Sequence, residues 1–297
     1  MPEFYKSSNK LPISALVAIP VAFAVVSSVL GVIYAMGIWY CPIIYVNALI
    51  CFAWAGLTAA LAGRAIKATN GRFPFAVGLL ALVGALVGYY VHWCVWLTFV
   101  IKSIDVGSRS LSGLKISLDP EAFLNFFLNP ADSRDFVVAI HERGLWALGK
   151  GKTLVNGTFL TVVWGIEILI YAITTLVYAC STAGEPFSEA GNRWFDKTLF
   201  KNNEFKAPDD PEENRAVARN IMNGDLGYFL EAPLVTDKSE NAFSLEIFSL
   251  PSSPVAYATV KGAVQGKKKS ETRQYADLVT KMAVSGDLAD RIVQRTR

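Results

Sequence analysis

The chain has 297 residues, 53% of them apolar and only 18% charged, with a net charge of +3. A soluble domain is typically about 25% charged, so this balance excludes disordered and collagen-like chains and does not suit a water-soluble enzyme. Four Cys are too few for a disulfide framework, and a charge of +3 without a basic stripe argues against nucleic acid as a partner.

The missing charge is concentrated in four stretches, Leu11–Met36, Pro42–Gly63, Phe73–Ile101 and Thr153–Cys180, of 26, 22, 29 and 28 residues. A helix needs about 20 apolar residues to cross a bilayer core, so each qualifies as a span. Their only Asp, Glu, Lys or Arg is Glu167. The first stretch follows Lys6 and Lys10. It is nearly twice the length of a signal-peptide apolar region and reads as a retained anchor. Pro20 inside it predicts a kink.

The Lys/Arg bias sets the orientation. Lys6 and Lys10 precede the first span, and Arg64, Lys67 and Arg72 sit in an acid-free loop after the second. Both segments are expected on the cytoplasmic side. Residues 102–152 then lie outside and the tail from Ser181 inside. Arg193, Lys197 and Lys201 agree with that placement. The outer loop holds seven Lys/Arg, but at about 50 residues it weighs less in the rule.

Two short helices are expected in the outer loop. Asp119-Pro120-Glu121 supplies an N-cap, a proline at N1 and a first-turn acid. Asn129-Pro130 ends that helix and starts the next, which Gly144 stops. Phe126, Phe127 and Trp146 are placed at the headgroup level or packed against the spans, with packing preferred.

The tail, Ser181–Arg297, has 117 residues with 16 Lys/Arg and 17 Asp/Glu. The region from Pro186 to Phe200 reads as a juxtamembrane amphipathic segment. Asp210-Pro211-Glu212-Glu213 opens a helix ending near Asn223-Gly224. Phe243–Leu250 reads as a strand and Val255–Val264 as strand or helix. Ser270–Ser285 and Asp287–Arg295 read as two helices divided at Gly286. The expected fold class is an all-α membrane protein: four transmembrane helices, a two-helix outer loop, and a small cytoplasmic α or α+β domain. Its divisions are 1–10, 11–101, 102–152, 153–180 and 181–297.

Glu167 is the sharpest feature. An intramembrane carboxylate must be protonated, paired or beside water. Asn156, Trp164, Glu167, Tyr171, Thr174 and Tyr178 fall on one stripe at steps of three, four and multiples of them, which is expected to face the bundle interior. On the third span, Gly84 and Gly88 form a small-xxx-small packing face that His92 continues. Counting about 1.5 Å per residue, Asn47 and His92 are expected roughly 6–8 Å outward of the membrane midplane and Glu167 near it. The three residues are therefore candidates for one intramembrane polar cluster. Two roles compete: a proton or cation path, and interhelical hydrogen bonds holding the spans in register. Transport usually needs more ionisable groups and broken helices in paired repeats, so the structural role is preferred.

Catalytic and cofactor chemistry find little support. The tail contains no His and no Cys, which excludes a His base, a Cys nucleophile and a Cys/His zinc site there. No nucleotide-binding or hydrolase motif is present. His141 reads as a surface residue, and Cys41, Cys51, Cys94 and Cys180 as small hydrophobes in or beside spans. No cofactor and no metal are expected. Lys267, Lys268 and Lys269 are candidates for contact with an anionic leaflet, although three lysines are few for that purpose.

Tyr34–Asn47, read as YAMGIWYCPIIYVN, and Val163-Trp164-Gly165-Ile166-Glu167 resemble bacterial four-span inner-membrane proteins to which no activity is assigned. The resemblance implies a bacterial inner membrane with both termini cytoplasmic, and implies no activity. The expected role is a non-enzymatic membrane anchor. Its partners are the lipid bilayer and a protein, or a second copy, bound by the C-terminal domain. The alternative is a small permease or proton-coupled pathway through Glu167 and His92.

Overall fold

A computed structural model describes residues 2–41, 44–105, 118–144, 146–147, 154–199, 204–235, 241–251, 253–264 and 274–295. The chain divides into two compact units, Ser8–Gly184 and a second formed by Met1–Ser7 with Glu185–Arg297.

The first unit contains α1 (Ile13–Tyr40), α2 (Ile44–Ala62), α3 (Arg64–Ala68), α4 (Pro74–Asp105), α5 (Pro120–Leu128), α6 (Pro130–Arg143), the strand pair β1 (Trp146–Ala147) and β2 (Leu154–Val155), and α7 (Gly157–Ala183). Among the described residues, four helical segments are long and apolar enough to cross a membrane: Ile13–Tyr40, Tyr45–Ala68, Pro74–Lys102 and Gly157–Ala183. Helix α1 shows why lipid is the natural solvent. Its buried positions, Ala15, Ile19, Phe23, Ser27, Gly31 and Ala35, recur every four residues. Its exposed positions, Val17, Val21, Val25, Val29 and Ile33, recur with the same spacing. A helix that is apolar on both faces is stable in hydrocarbon or in a large core, and here the second face is uncovered by the protein.

The helices meet through small residues. A Cβ on Gly84 would fall 2.9 Å from Phe23 Cβ and closer still to the Pro20 carbonyl, while one on Gly88 would overlap Ser27. The expected packing face of α4 is thus the surface that α1 occupies. Between α2 and α4 the charged loop is partly helical (α3), and the Arg72 amide donates to the Lys10 carbonyl at 2.9 Å.

Helices α5 and α6 form as their punctuation requires. The Asp119 carboxylate accepts from the amides of Glu121 (3.1 Å) and Ala122 (3.2 Å) at the start of α5. Gly144 ends α6 at φ 74°, a left-handed conformation that costs glycine nothing.

The second unit contains β3 (Phe187–Ser188), β4 (Arg193–Trp194), β5 (Asp196–Leu199), β6 (Phe205–Lys206), α8 (Pro211–Met222), α9 (Tyr228–Glu231), β7 (Ala242–Ser249), β8 (Val255–Val264), β9 (Gln274–Ser285) and α10 (Gly286–Arg295). An antiparallel sheet runs β5-β7-β8-β9, with β6 also paired to β7. Phe243, Leu245 and Ile247 of β7, Ala258 and Val260 of β8, and Val279 and Met282 of β9 form its core with Ile221, Phe229, Ile292 and Val293 from the helices. The free side of β9 is occupied by the N-terminal segment. Tyr5 N donates to Lys281 O, Ala283 N donates to Glu3 O, and Phe4 bridges Met282. The N-terminal segment therefore lies along the same sheet as the C-terminal strands.

This unit corrects the sequence reading. It is β-rich, not an α or α+β domain, so the chain is not all-α. Residues expected as a helix over Ser270–Ser285 form β9 where they are described, and the expected amphipathic segment after Pro186 is short β-structure. The physical reason lies in β9's register. Val279 pairs with Val260 and Met282 with Ala258, so three steps on β9 oppose two on β8. A second shift lies between Val260 and Lys261. These bulges leave Leu278, Val279 and Met282 facing the core, a three-and-four spacing that imitates a helix. Lys281 sits in the bulge at φ 52°.

Candidate functional site

The polar residues of the spans gather around an aromatic cluster. Trp54 of α2 is its centre. Its ring stacks on Tyr171 of α7 (4.1 Å) and Tyr34 of α1 (4.7 Å), and lies 5.3 Å from His92 and 5.9 Å from Tyr89 of α4. All four spans thus contribute one ring or more. Aromatic pairs of this kind contribute roughly 0.5–1.5 kcal/mol each beyond burial, so the cluster fixes how the helices stand against one another.

Hydrogen bonds reinforce the same crossing. Ser27 Oγ donates to the Ala85 carbonyl at 3.1 Å and bonds the Tyr171 hydroxyl, and Trp54 Nε1 donates to the Ser27 carbonyl at 3.2 Å. Because Gly88 has no side chain, Ser27 can sit against α4 at this point.

Glu167 lies beside the cluster. The Tyr34 hydroxyl faces its carboxylate, and Cys51 and Tyr89 are its other titratable neighbours. Cys51 Sγ donates to the Glu167 main-chain carbonyl at 3.6 Å. Glu167 Oε1 is buried and has no hydrogen-bond partner. His92 is 2% exposed. Neither of its ring nitrogens makes a hydrogen bond of normal geometry, although the Tyr89 carbonyl is nearby. Asn47 Oδ1 is also buried without a partner. It lies on α2 one turn before Cys51.

Glu167 and His92 therefore share a region without bonding to each other, and no contact joins Asn47 to either. Tyr34 is the link between the first two: its ring lies 4.8 Å from His92 and its hydroxyl faces Glu167. Gly84 and Gly88 pack against α1 as described. The predicted stripe on α7 needs correction. Its buried line is Tyr171, Thr175 and Ala179, while Tyr178 is 39% exposed and Asn156 bonds the Glu142 carbonyl. His141 is bonded to Thr161 at 2.8 Å. The cysteines Cys41, Cys51, Cys94 and Cys180 are free. Lys267, Lys268 and Lys269 lie outside the described residues.

Sequence reasoning missed Tyr34, Trp54, Tyr89 and Ser27. Aromatic and hydroxyl residues are ordinary in an apolar run, and only their depth on different helices unites them. The usable signal was at Gly88, the small residue opposite Ser27. Chemically, the cluster offers a carboxylate oxygen of Glu167 and the imidazole of His92, both buried beside its rings. Among the described residues, no group of three or more His, Cys, Asp or Glu is arranged to hold a metal.

No family model matches the chain, no curated protein matches it, and no solved structure matches its fold.

Proposed function

We infer that the chain is a four-span membrane anchor that holds its β-rich unit at the membrane surface, where that unit binds a protein partner or a second copy. The supporting observation is the double tether. The chain joins the helical unit to the β-rich unit twice, near Ser8 and near Gly184, and both ends enter one sheet. A domain that needed only a flexible link would use one. The positions of Arg64, Lys67 and Arg72 favour a cytoplasmic domain, and the resemblance noted above favours a bacterial inner membrane.

The test is photo-crosslinking in native membranes, with the reactive group placed at Leu234 or Val255, which are 38% and 39% exposed. A discrete ultraviolet-dependent adduct is expected, and its mass separates a second copy from another protein. If the folded protein yields no adduct from either position, the partner-binding role is wrong.

A second reading, a proton-coupled pathway or small permease, is favoured by one observation: buried, unpartnered polar atoms on Glu167 and His92. Glu167→Gln retains shape and removes titration. A pH-driven flux in proteoliposomes that this change abolishes would replace the anchor reading. Absence of flux in the unaltered protein would remove the pathway.

A further inference from the structure

Helices α5 and α6 make contacts deep along the spans. The Tyr90 hydroxyl donates to the Phe126 carbonyl at 2.8 Å, with the Phe127 carbonyl at 3.2 Å. Tyr90 lies sixteen residues beyond Pro74 on α4, which is about 24 Å of helix. Arg72 lies two residues before that end of α4, and on the membrane-spanning reading Pro74 marks one boundary. The other boundary lies about 30 Å away. The Tyr90 level therefore falls roughly 6 Å short of it, inside the apolar layer. A helical side chain leans toward its N-terminus, which carries the hydroxyl still further inward.

The α6–α7 contacts give the same result. His141 bonds Thr161, which lies 22 residues from Ala183, about 33 Å along α7. The eleven residues from His141 back to Pro130 lower the start of α6 by up to about 16 Å. At its other end, α5 begins at the level of Lys102, which is 3.5 Å from Asp119. The two helices thus form a hairpin that descends beside α4 and returns beside α7.

The tip is built for hydrocarbon. Leu124 is 51% exposed, Phe127 37% and Leu128 69%. These residues continue the uncovered apolar surface of α4, where Leu79, Val83 and Val87 are exposed. Helix C-termini normally leave carbonyls to water. Here the Asn125 carbonyl accepts from Asn129 Nδ2 at 3.0 Å, and the Phe126 carbonyl accepts from Tyr90 and from Ser133 Oγ at 2.7 Å. Side-chain capping of this kind is what backbone needs where water is scarce. Asp132, Arg134 and Asp135 follow on the ascending helix and are exposed, so the inserted part is the tip that precedes them.

We propose that the α5–α6 hairpin is a membrane-inserted element, with Leu124, Phe127 and Leu128 entering the acyl boundary of the leaflet opposite Arg64 and Arg72. Its partner is the lipid bilayer itself. An interfacial helix buries its apolar face about 5–10 Å deep, and the depth found from Tyr90 lies in that range. The proposal rests on the membrane-spanning reading of the four long helices.

The test uses the full chain in lipid nanodiscs with Cys41→Ser and Cys180→Ser, since Cys51 and Cys94 are 1% and 0% exposed. Spin labels are placed in turn at Leu128→Cys, Leu124→Cys, Val83→Cys and Glu121→Cys. Collision with oxygen reports lipid, and collision with a water-soluble nickel chelate reports solvent. Labels at 128 and 124 are expected to match the span position 83, with nickel collisions several-fold below those at 121. If 83 is lipid-like while 128 and 124 match 121, the hairpin proposal is overturned and the spans stand. If 83 is also nickel-accessible, the membrane-spanning reading falls and the proposal falls with it.

Discussion

The two units of this chain hide apolar surface in different ways. The β-rich unit gathers its apolar side chains inward, with β7 covered on both faces, and water drives its core together. The helical unit is apolar on inner and outer faces alike, as the valine series on α1 shows. In lipid the outer face gains nothing by burial, so close approach of backbones and a few polar contacts decide which surfaces meet. The same kind of residue therefore has different weight in each unit. A large apolar side chain carries the β-rich core, and its absence, a glycine, carries the helix crossing.

The largest expected effect is in the β-rich unit. Phe229 is fully buried, with its ring 4.9 Å from Phe205. Phe229→Ala is expected to destabilise this unit by about 3–5 kcal/mol, from lost transfer energy and a cavity. Protease sensitivity should rise across residues 185–297 while the helical content of Ser8–Gly184 is retained. Simultaneous loss of both units would show that they fold as one, and the contrast drawn above would fail.

A smaller effect separates crowding from burial in the helical unit. Gly88→Ala adds a methyl group that overlaps Ser27 and disturbs the bonds from Ser27 to Ala85 and Tyr171. Overpacking of this kind costs about 1–3 kcal/mol. Gly56→Ala on α2 meets nothing within 4 Å and should be neutral or mildly stabilising. Thermal unfolding in detergent micelles compares them. Equal behaviour of the two variants would mean that close packing at Gly88 does not hold the bundle.

These forces also explain what was legible in the sequence. Span positions were, because lipid selects apolar residues whatever they touch, and a run without charge is visible without knowing the fold. Helix starts at Asp119-Pro120 and Asp210-Pro211 were, because a cap acts on its own next three residues. Strand β9 was not, because bulges set by β8 gave its core residues a helical spacing. At the candidate site, Glu167, His92, Gly84 and Gly88 were visible as exceptions to an apolar background. Tyr34, Trp54 and Tyr89 were not, because their significance comes from meeting across four helices.

The smallest effect concerns the cap that begins α5. The Ala122 amide, bonded to the Asp119 carboxylate, holds that carboxyl below its ordinary value, with smaller help from Lys102 and the Glu121 amide. The folded value is thus lower than the unfolded one, about 3.9. The cap is complete above the unfolded value and is lost as pH falls through the folded one. The Ala122 amide shift, followed by NMR in micelles, should stay constant from neutral pH down to about 4 and change only below it. Asp119→Asn keeps a capping oxygen and should abolish the transition without shortening α5. A midpoint at or above the ordinary aspartate value would mean that Asp119 is not held by these amides. The legible start of α5 would then owe its position to contact with α4, as the helix crossings do, and not to its own capping residue.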